Sequence, residues 1–503
     1  MVITEATHTL VPIPQAEGRH FSPDLLKSIR LLRHDETQAH VLFALSELDQ
    51  NTELFELRDH IRTQLKDSKV TWCDREKLEK ISQQFSNSGE SLEGVSSSQS
   101  VILGLIEKAV ELRGSDIHIR IERQYTRVLY RIDGNLRQIR NEAPEWGLRV
   151  VNALYNSMCE EHSNTTLSLT EPSDARMREE FVNNFGLSTI RFASRPGGQN
   201  RLAVALRLVS RRKESLKFTD LGMNSEEEQA LQRVLSSTGG TFFSGPTGHG
   251  KSTICQVSAE FMAKEDPGEN IISLEDPIES PIEGVFQTPL GQQTHGEALR
   301  NLLRMDPDRI YNGEVRDAGA ANGVVEAIMT GAPVMTTIHN NSPADIIQRL
   351  RRFGVDEDLL FDPTIISGLV GLRLVPLLCG NCKIPWKEGR NDVSPMMQDM
   401  VETHAQTMNI YLRRKAGCDF CASTGINGRT GVFEVIETDN RFMRLYSREG
   451  KMAAYLDWIS QGGRTLCQNL LRLIEAGRVD PVWAHRRICN LDRDARLREG
   501  HES

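Results

Sequence analysis

The sequence has no uninterrupted apolar stretch approaching the roughly 18 residues that mark a membrane-spanning helix. The nearest run, Thr364–Leu378, is shorter and carries Arg373, so it reads as buried core. Met1–Gln15 lacks a basic start followed by an apolar core, so no export signal is expected. Any membrane association is then expected to run through a partner. A basic excess is also missing. Lys and Arg total 60 against 69 Asp and Glu, a net charge of −9. The whole-chain balance gives no reason to expect nucleic acid, although a local basic patch stays open. The nine cysteines are an odd count and five are scattered singly, which disfavours a disulfide framework. With no export signal, free or metal-bound thiols in a reducing cytoplasm follow. No period of the length used by repeat proteins stands out.

What is present is ordinary globular material. The chain has 503 residues, 39% hydrophobic and 26% charged, enough for roughly three domains. Residues 1–85 are polar with short amphipathic stretches. Val41–Leu45 and the trio Leu54, Leu57 and Ile61 suggest small helices, so this part is expected to be mostly helical. Ser86–Ser100, rich in Ser, Gly and Glu, reads as a linker. From Val101 a helical apolar pattern runs to about Gly114. Alternating strands follow at Ser115–Ile119 and Arg127–Ile132, with a hairpin turn at Asp133-Gly134-Asn135. Further strands are expected at Thr189–Ala193 and Leu202–Val209, making 101–215 an α+β domain. Asn224 and Glu227 then have the spacing of a capping box. From 216 to 375, short apolar strands at Thr241–Phe243, Ile271–Leu274, Ile310-Tyr311 and Val334–Ile338 alternate with helices. That alternation predicts an α/β domain with a parallel sheet.

The first of these strands runs into Gly245-Pro246-Thr247-Gly248-His249-Gly250-Lys251-Ser252-Thr253, at the spacing of a P-loop. Backbone N–H groups of such a turn and of the following helix start can cradle phosphate. Lys251 adds a point charge for the β- and γ-phosphates, and the Ser252 hydroxyl can ligate Mg²⁺. The bland alternative is a glycine turn before a surface helix.

Three further strands end in polar residues. Glu275-Asp276-Pro277-Ile278-Glu279 follows the second; its carboxylates suit polarising water or holding a magnesium shell, or Asp276 simply caps a short helix starting at Pro277. Met305 to Glu314 puts a carboxylate at the end of the third, where it can orient an attacking water; ordinary surface acids are the alternative. His339 ends the fourth, either as a γ-phosphate contact or as a satisfied structural group.

Cys379-Gly380-Asn381-Cys382 and Cys418-Asp419-Phe420-Cys421 form two knuckles. Four thiolates in this arrangement suit a closed, structural Zn²⁺ site within a 376–425 lobe, with 383–417 as a small lobe of its own. Two disulfides are disfavoured by the cytoplasmic reading.

In order, these elements resemble the secretion ATPases of the type II secretion and type IV pilus assembly family. Leu303-Arg304-Met305-Asp306-Pro307-Asp308 through Gly313-Glu314-Val315-Arg316-Asp317, the acidic box and Thr336–Asn340 carry the likeness. So do Gly114–Ile119, Arg131–Gly134, the paired cysteines and Gly428–Glu434. It covers roughly 97–490. Departures are Ala318-Gly319-Ala320-Ala321 after Asp317, Ala332 in place of a histidine, and a divergent 191–207 segment.

The resemblance implies a RecA-like P-loop core preceded by a small PAS-like α+β domain, and a helical region over 426–503. It implies a homohexamer that hydrolyses ATP with Mg²⁺. Such a ring acts at the inner membrane through a polytopic platform protein, with no nucleic acid. Glu314 would orient the water with Glu275 as the supporting carboxylate, His339 would contact the γ-phosphate, and Arg191 and Arg207 would be arginine fingers, with Arg195 and Arg201 competing. Type IV pilus assembly, including a type IVb or conjugative pilus, is the expected load and type II secretion the alternative. A nucleic-acid translocase and a non-hydrolytic regulatory subunit are the rivals.

Overall fold

The computed structural model describes residues 97–160, 162–199, 201–211 and 215–499, and before them 8–10, 25, 28–34, 40–48, 51–64 and 68–78. The expected linker therefore lies largely outside the described residues. Its last four residues already belong to the helix Ser97–Glu111. The chain divides into two compact units, Met1–Ser97 and Ser98–Ser503.

In the first unit, β1 (His8–Leu10), β2 (Ile29–His34), β3 (His40–Leu45) and β4 (Ser68–Cys73) form one sheet in that order. β3 and β4 are parallel, and the helix Thr52–Gln64 makes the crossover such a pair requires. Leu54, Leu57 and Ile61 pack from this helix onto the sheet, as their spacing suggests. The run Val41–Leu45 is a strand rather than a helix, and the described residues are not mostly helical. The reason is burial on both faces. Leu42 and Ala44 face the helix, whereas Phe43 and Leu45 face a second cluster with Leu32 and Cys73. A continuous apolar run carries no period that separates a doubly buried strand from a helix.

The second unit contains two large sheets. β5 (Gly114–Ile121), β6 (Thr126–Ile132), β7 (Asn135–Glu142), β8 (Cys159–Glu160), β9 (Ser173–Met177), β10 (Leu187–Gly197) and β11 (Arg201–Ser210) make an antiparallel sheet in the order β7-β6-β5-β11-β10-β9-β8. Asp133 and Gly134 form the two-residue loop between β6 and β7. Their φ values of 46° and 85° are the left-handed pair that suits strand twist. The helices Ser97–Glu111 and Pro144–Ala153 pack Ile102, Ile106, Val150 and Val151 onto this sheet.

The other sheet comprises β12 (Gly240–Ser244), β13 (Ile271–Glu275), β14 (Val285–Pro289), β15 (Arg309–Val315), β16 (Val334–Ile338) and β17 (Ile366–Leu378). A two-stranded ribbon of β18 (Ile384–Pro385) and β19 (Tyr411–Leu412) intervenes in sequence, and β20 (Ile426–Glu437) then joins the large sheet. Its order is β14-β13-β15-β16-β12-β17-β20, all parallel except the last pair. β12 is central and buried on both faces: Phe242 enters one core and Phe243 the other, as alternation requires. Each such side chain contributes about 1.5–3 kcal/mol by leaving water. The helix Ser225–Leu235 begins at the expected box. Asn224 Oδ1 accepts the Glu227 N–H at 2.9 Å and Glu227 Oε2 accepts the Asn224 N–H at 2.8 Å.

Two boundaries differ from the sequence reading. β17 extends the core sheet past 375, and β20 belongs to that sheet rather than to a helical tail. The helices Asn440–Glu449, Lys451–Ser460, Leu466–Glu475, Pro481–Arg487 and Arg493–Glu499 come only after it. Residues 383–417 do build their own ribbon and the helix Pro395–His404, but Trp386, Met397 and Val401 share a core with Leu470 and Ile474. The small lobe is therefore packed into the C-terminal helices.

Gly368 on β17 is fitted against the helix Ser225–Leu235: a Cβ there would lie 1.9 Å from Val234 Cγ1. Gly368→Ala should lower stability by about 1–3 kcal/mol, read as an earlier urea midpoint.

Candidate functional site

The phosphate-loop segment leaves the central strand at Gly245, where any Cβ would come within 2.7 Å of the Leu372 carbonyl oxygen. Gly248 and Gly250 have φ of 77° and 87°, which L side chains avoid. The turn opens the helix Lys251–Glu265, whose first residue follows Gly250 with no side-chain cap. Its first N–H groups are thus left for an anion, and the helix dipole favours one there. Ser252 and Thr253 are half-buried in the first turn.

Lys251 is 8% exposed. Its Nζ donates to the carbonyls of Gly245 at 2.9 Å and Pro246 at 3.3 Å, and to His339 Nδ1 at 3.3 Å. Burial lowers the affinity of this amine for its proton, and Glu314 works against that. Because Nδ1 of His339 accepts, its Nε2 carries the proton and meets Glu314 Oε1 at 2.7 Å. Burial, and then the Lys251 charge, hold the His339 pKa below its ordinary value, so the ring is neutral. Glu314 Oε2 accepts from Arg316 Nε at 2.9 Å, and Arg316 Nη1 reaches Asp276 Oδ2 at 3.1 Å. The ends of β12, β13, β15 and β16 therefore meet in one chain of polar contacts, Lys251–His339–Glu314–Arg316–Asp276.

The acidic box divides its carboxylates. Glu275 is only 4% exposed, and its Oε1 accepts from Ser273 Oγ and Gln287 Nε2, both at 2.7 Å. Burial raises its pKa. No helix starts at Pro277, so the capping alternative for Asp276 does not hold. The capping acid is Asp317, which accepts the Ala320 N–H at 2.8 Å. Glu279 Oε1 meets Arg191 Nη2 at 3.3 Å.

Arg191 and Arg207 are direct cross-strand partners on β10 and β11. The row continues through Arg176 on one side and through Asp116 and Arg131 on the other. Asp116 offsets this row: its Oδ1 accepts from Arg207 Nε at 3.2 Å, and its Oδ2 lies 3.6 Å from Arg131 Nε. Arg191 thus faces the acidic box, whereas Arg207 is held within its own sheet. Arg201 donates to the Gly198 carbonyl at 3.0 Å, and Arg195 is exposed. Sequence reasoning did not single out Arg316 or Asp116 as site groups. The signals were there, in the Arg-Asp pair after Glu314 and the Ser-Asp pair opening β5.

The four knuckle cysteines come together because β17 and β20 are antiparallel, with Leu378 opposite Ile426. Their Sγ atoms lie within 4.8 Å of one another, with separations of 3.8 Å for Cys379–Cys418 and Cys418–Cys421 and 3.9 Å for Cys382–Cys421. A disulfide needs about 2.05 Å, so none is formed. Sulfurs placed about 2.3 Å from a tetrahedral zinc are about 3.8 Å apart, so this donor set fits that ion. Backbone N–H groups of Cys418 and Gly425 also donate to Cys421 Sγ, at 3.2 and 3.1 Å, as suits a thiolate.

A mostly parallel sheet with a phosphate-loop turn on an interior strand, acids and a histidine on neighbouring strand ends, and a preceding antiparallel sheet that carries arginines are the features of a phosphate-loop nucleotide-binding class. The model of the family described as "Type II/IV secretion system protein" matches residues 92–490, and the chain belongs to that family. It is 30% identical to a type II secretion system protein E of Pectobacterium carotovorum subsp. carotovorum, over 75% of this chain and 73% of that protein. It is 31% identical to the type IV pilus assembly ATPase PilB of Thermus thermophilus, over 69% of this chain and 38% of that protein. Among solved structures, the Legionella pneumophila ATPase DotB superposes with a TM-score of 0.53 at 19% identity, covering 76% of this chain and 93% of that one, and so supports the fold.

His249 gives a pH test of the loop. Its Nδ1 accepts the Leu374 N–H at 3.0 Å, pinning the loop to β17. Burial first, then Arg373, Arg429 and Lys251, lower its pKa from 6.5 to about 4. The folded state resists protonation, so the stabilisation is complete above 6.5 and is lost as pH falls through about 4. His249→Asn, whose amide oxygen can accept the same N–H, should show a smaller loss of denaturant midpoint between these pH values.

Proposed function

We propose that this chain is an ATP hydrolase that works as a homohexameric ring and powers type IV pilus assembly from the cytoplasmic face of an inner membrane. The carrying observation is the contact chain from Lys251 through His339 to Glu314 at the mouth of a phosphate loop. ATP would take the place of the loop carbonyls as the partner of Lys251. The ammonium would then meet the β- and γ-phosphates while Gly245–Thr253 wrap them. Ser252 would ligate Mg²⁺, which neutralises charge on the transferring group. Glu314 is the group for orienting the attacking water. Neutral His339, carrying its proton on Nε2, can exchange its Glu314 contact for a γ-phosphate oxygen. Glu275, satisfied by Ser273 and Gln287, is the supporting carboxylate. Arg191 would leave Glu279 for phosphate, and Arg207 would leave Asp116; planar guanidiniums suit bidentate phosphate contact. Closure of the 101–215 domain on the 216–375 core would carry this motion to a polytopic membrane platform protein.

The four cysteines would hold a structural Zn²⁺ that closes the β17–β20 end with no open position. Type II secretion is the second reading for the load. It is favoured by the relative of that system, which this chain matches over 73% of its length. The acidic net charge of −9 supports the expectation that nucleic acid is not the load.

Lys251→Ala and Glu314→Gln should each lower phosphate release by about 10²-fold or more, with ATP binding retained only in Glu314→Gln. Normal turnover in Glu314→Gln would remove the proposed role. Metal analysis of the folded chain should give about one Zn²⁺ per chain, and chelation should loosen the 376–425 lobe. A metal-free protein of full stability would reject that site.

A further inference from the structure

A second pair of thiols lies apart from the four-cysteine cluster. Cys467, completely buried, sits in the first turn of the helix Leu466–Glu475. Cys489, half-buried, follows the helix Pro481–Arg487. Both sulfurs converge on one carbonyl: Asn490 O is 3.5 Å from Cys467 Sγ and 3.4 Å from Cys489 Sγ. The Cys467 thiol also reaches Leu491 O at 3.7 Å. The shared carbonyl places the two sulfurs close together, and Arg493 acts on both.

The two sulfurs differ in the way that sequential oxidation needs. The Cys467 contact first, and then Arg493, favour the anionic form of Cys489 over burial and the nearby Asp494. Cys467 is held as the thiol by the neighbouring Cys489 sulfur and by its burial. Reactive thiols sit in partly exposed, electropositive surroundings, and a buried neighbour within reach serves to resolve them. Three other single cysteines, Cys73, Cys159 and Cys255, are buried, and burial pushes all three thiols up.

We propose that Cys467 and Cys489 form a modification site at which hydrogen peroxide converts the dithiol to a disulfide. The Cys489 thiolate attacks one peroxide oxygen and the O–O bond breaks. The hydroxide that leaves takes up a proton, giving water and a Cys489 sulfenic acid. Cys467 sulfur then attacks the oxidised sulfur and the S–O bond breaks. The Cys467 proton goes to the departing hydroxide, giving a second water. Two thiols are oxidised by two electrons, and one peroxide is reduced to two waters. The new bond would tie the helix Leu466–Glu475 to the segment after Pro481–Arg487. That helix is anchored to β20, because the Leu466 N–H donates to Glu434 Oε2 at 2.7 Å and Asn469 Nδ2 to the Phe433 carbonyl at 2.9 Å. Cys489 also acts electrostatically on Arg373, whose Nη1 would lie 3.6 Å from a Cβ on Gly245. The site therefore acts on a residue that borders the phosphate loop. It is independent of which load the motor serves.

The test is mass spectrometry of the full-length protein, purified with zinc in the buffer and exposed to stepwise hydrogen peroxide. Remaining thiols are alkylated and the protein is digested without reductant. The expected product is the Cys467 peptide joined to the Cys489 peptide, two hydrogens lighter than their sum and separated again by dithiothreitol. Cys467→Ser should stop at a Cys489 sulfenic acid, captured by dimedone, whereas Cys489→Ser should leave Cys467 alkylatable after denaturation. Circular dichroism checks that both variants fold, and the wild-type link needs neither. The proposal is overturned if the 379–421 cysteines oxidise and release metal before any 467–489 link appears. A folded Cys467→Ser protein that gives no dimedone adduct on Cys489 would overturn it as well.

Discussion

A buried ammonium with no carboxylate in direct contact among the described residues organises this molecule. Lys251 is held by two loop carbonyls and an imidazole, and Glu314 beyond that ring offsets part of the effect of burial on the amine. The position is costly for a cation, and it depends on the backbone turn at Gly245–Gly250 bringing carbonyls to it. That turn in turn depends on β12 lying between β16 and β17, because Gly245 packs on the Leu372 carbonyl. Burial first, and then the Lys251 charge, favour the neutral His339 ring. Such an arrangement is poised for an anion, which would satisfy the ammonium and the helix start together.

The same sheet organises the other two features. Pairing β17 against β20 brings the knuckle cysteines to one end, and the helices that follow β20 cover its face. The antiparallel sheet of 114–210 lines up Arg176, Arg191, Arg207 and Arg131 in one register row broken by Asp116. Like charges in adjacent strands repel, so this row is kept by its acidic partners, Asp116 within the sheet and Glu279 beyond it. The Arg191–Glu279 pair is half-exposed on both sides and contributes little stability, whereas Arg207 is held by the buried Asp116.

Much of the site was legible because it consists of short segments at strand ends. Gly248 and Gly250 announce left-handed turns, Asn224 and Glu227 a helix start, and Asp133-Gly134 a hairpin, each from local chemistry alone. The five-residue run Val41–Leu45 was not legible, since apolar continuity is shared by helices and doubly buried strands. The strand Ile426–Glu437 was also misplaced. Only its partner, β17, makes it part of the core sheet, and that pairing spans the excursion through 383–417. Arg316 was overlooked for a similar reason: its role comes from touching Glu314 and Asp276 at once, and these lie at the ends of two different strands.

The sequence by itself determined the candidate site residues and the order in which they occur: the glycines and Lys251 of the loop, the acids and histidine after three later strands, and four cysteines as two knuckles. These follow from backbone sterics and ligand chemistry, which act over a few residues. Only the tertiary structure decided which of them meet. Lys251 reaches Glu314 through His339, Arg191 faces Glu279 while Arg207 is held by Asp116, and Glu275 turns into the sheet. Such choices depend on strand order and register, and those are settled by burying apolar faces across the whole unit.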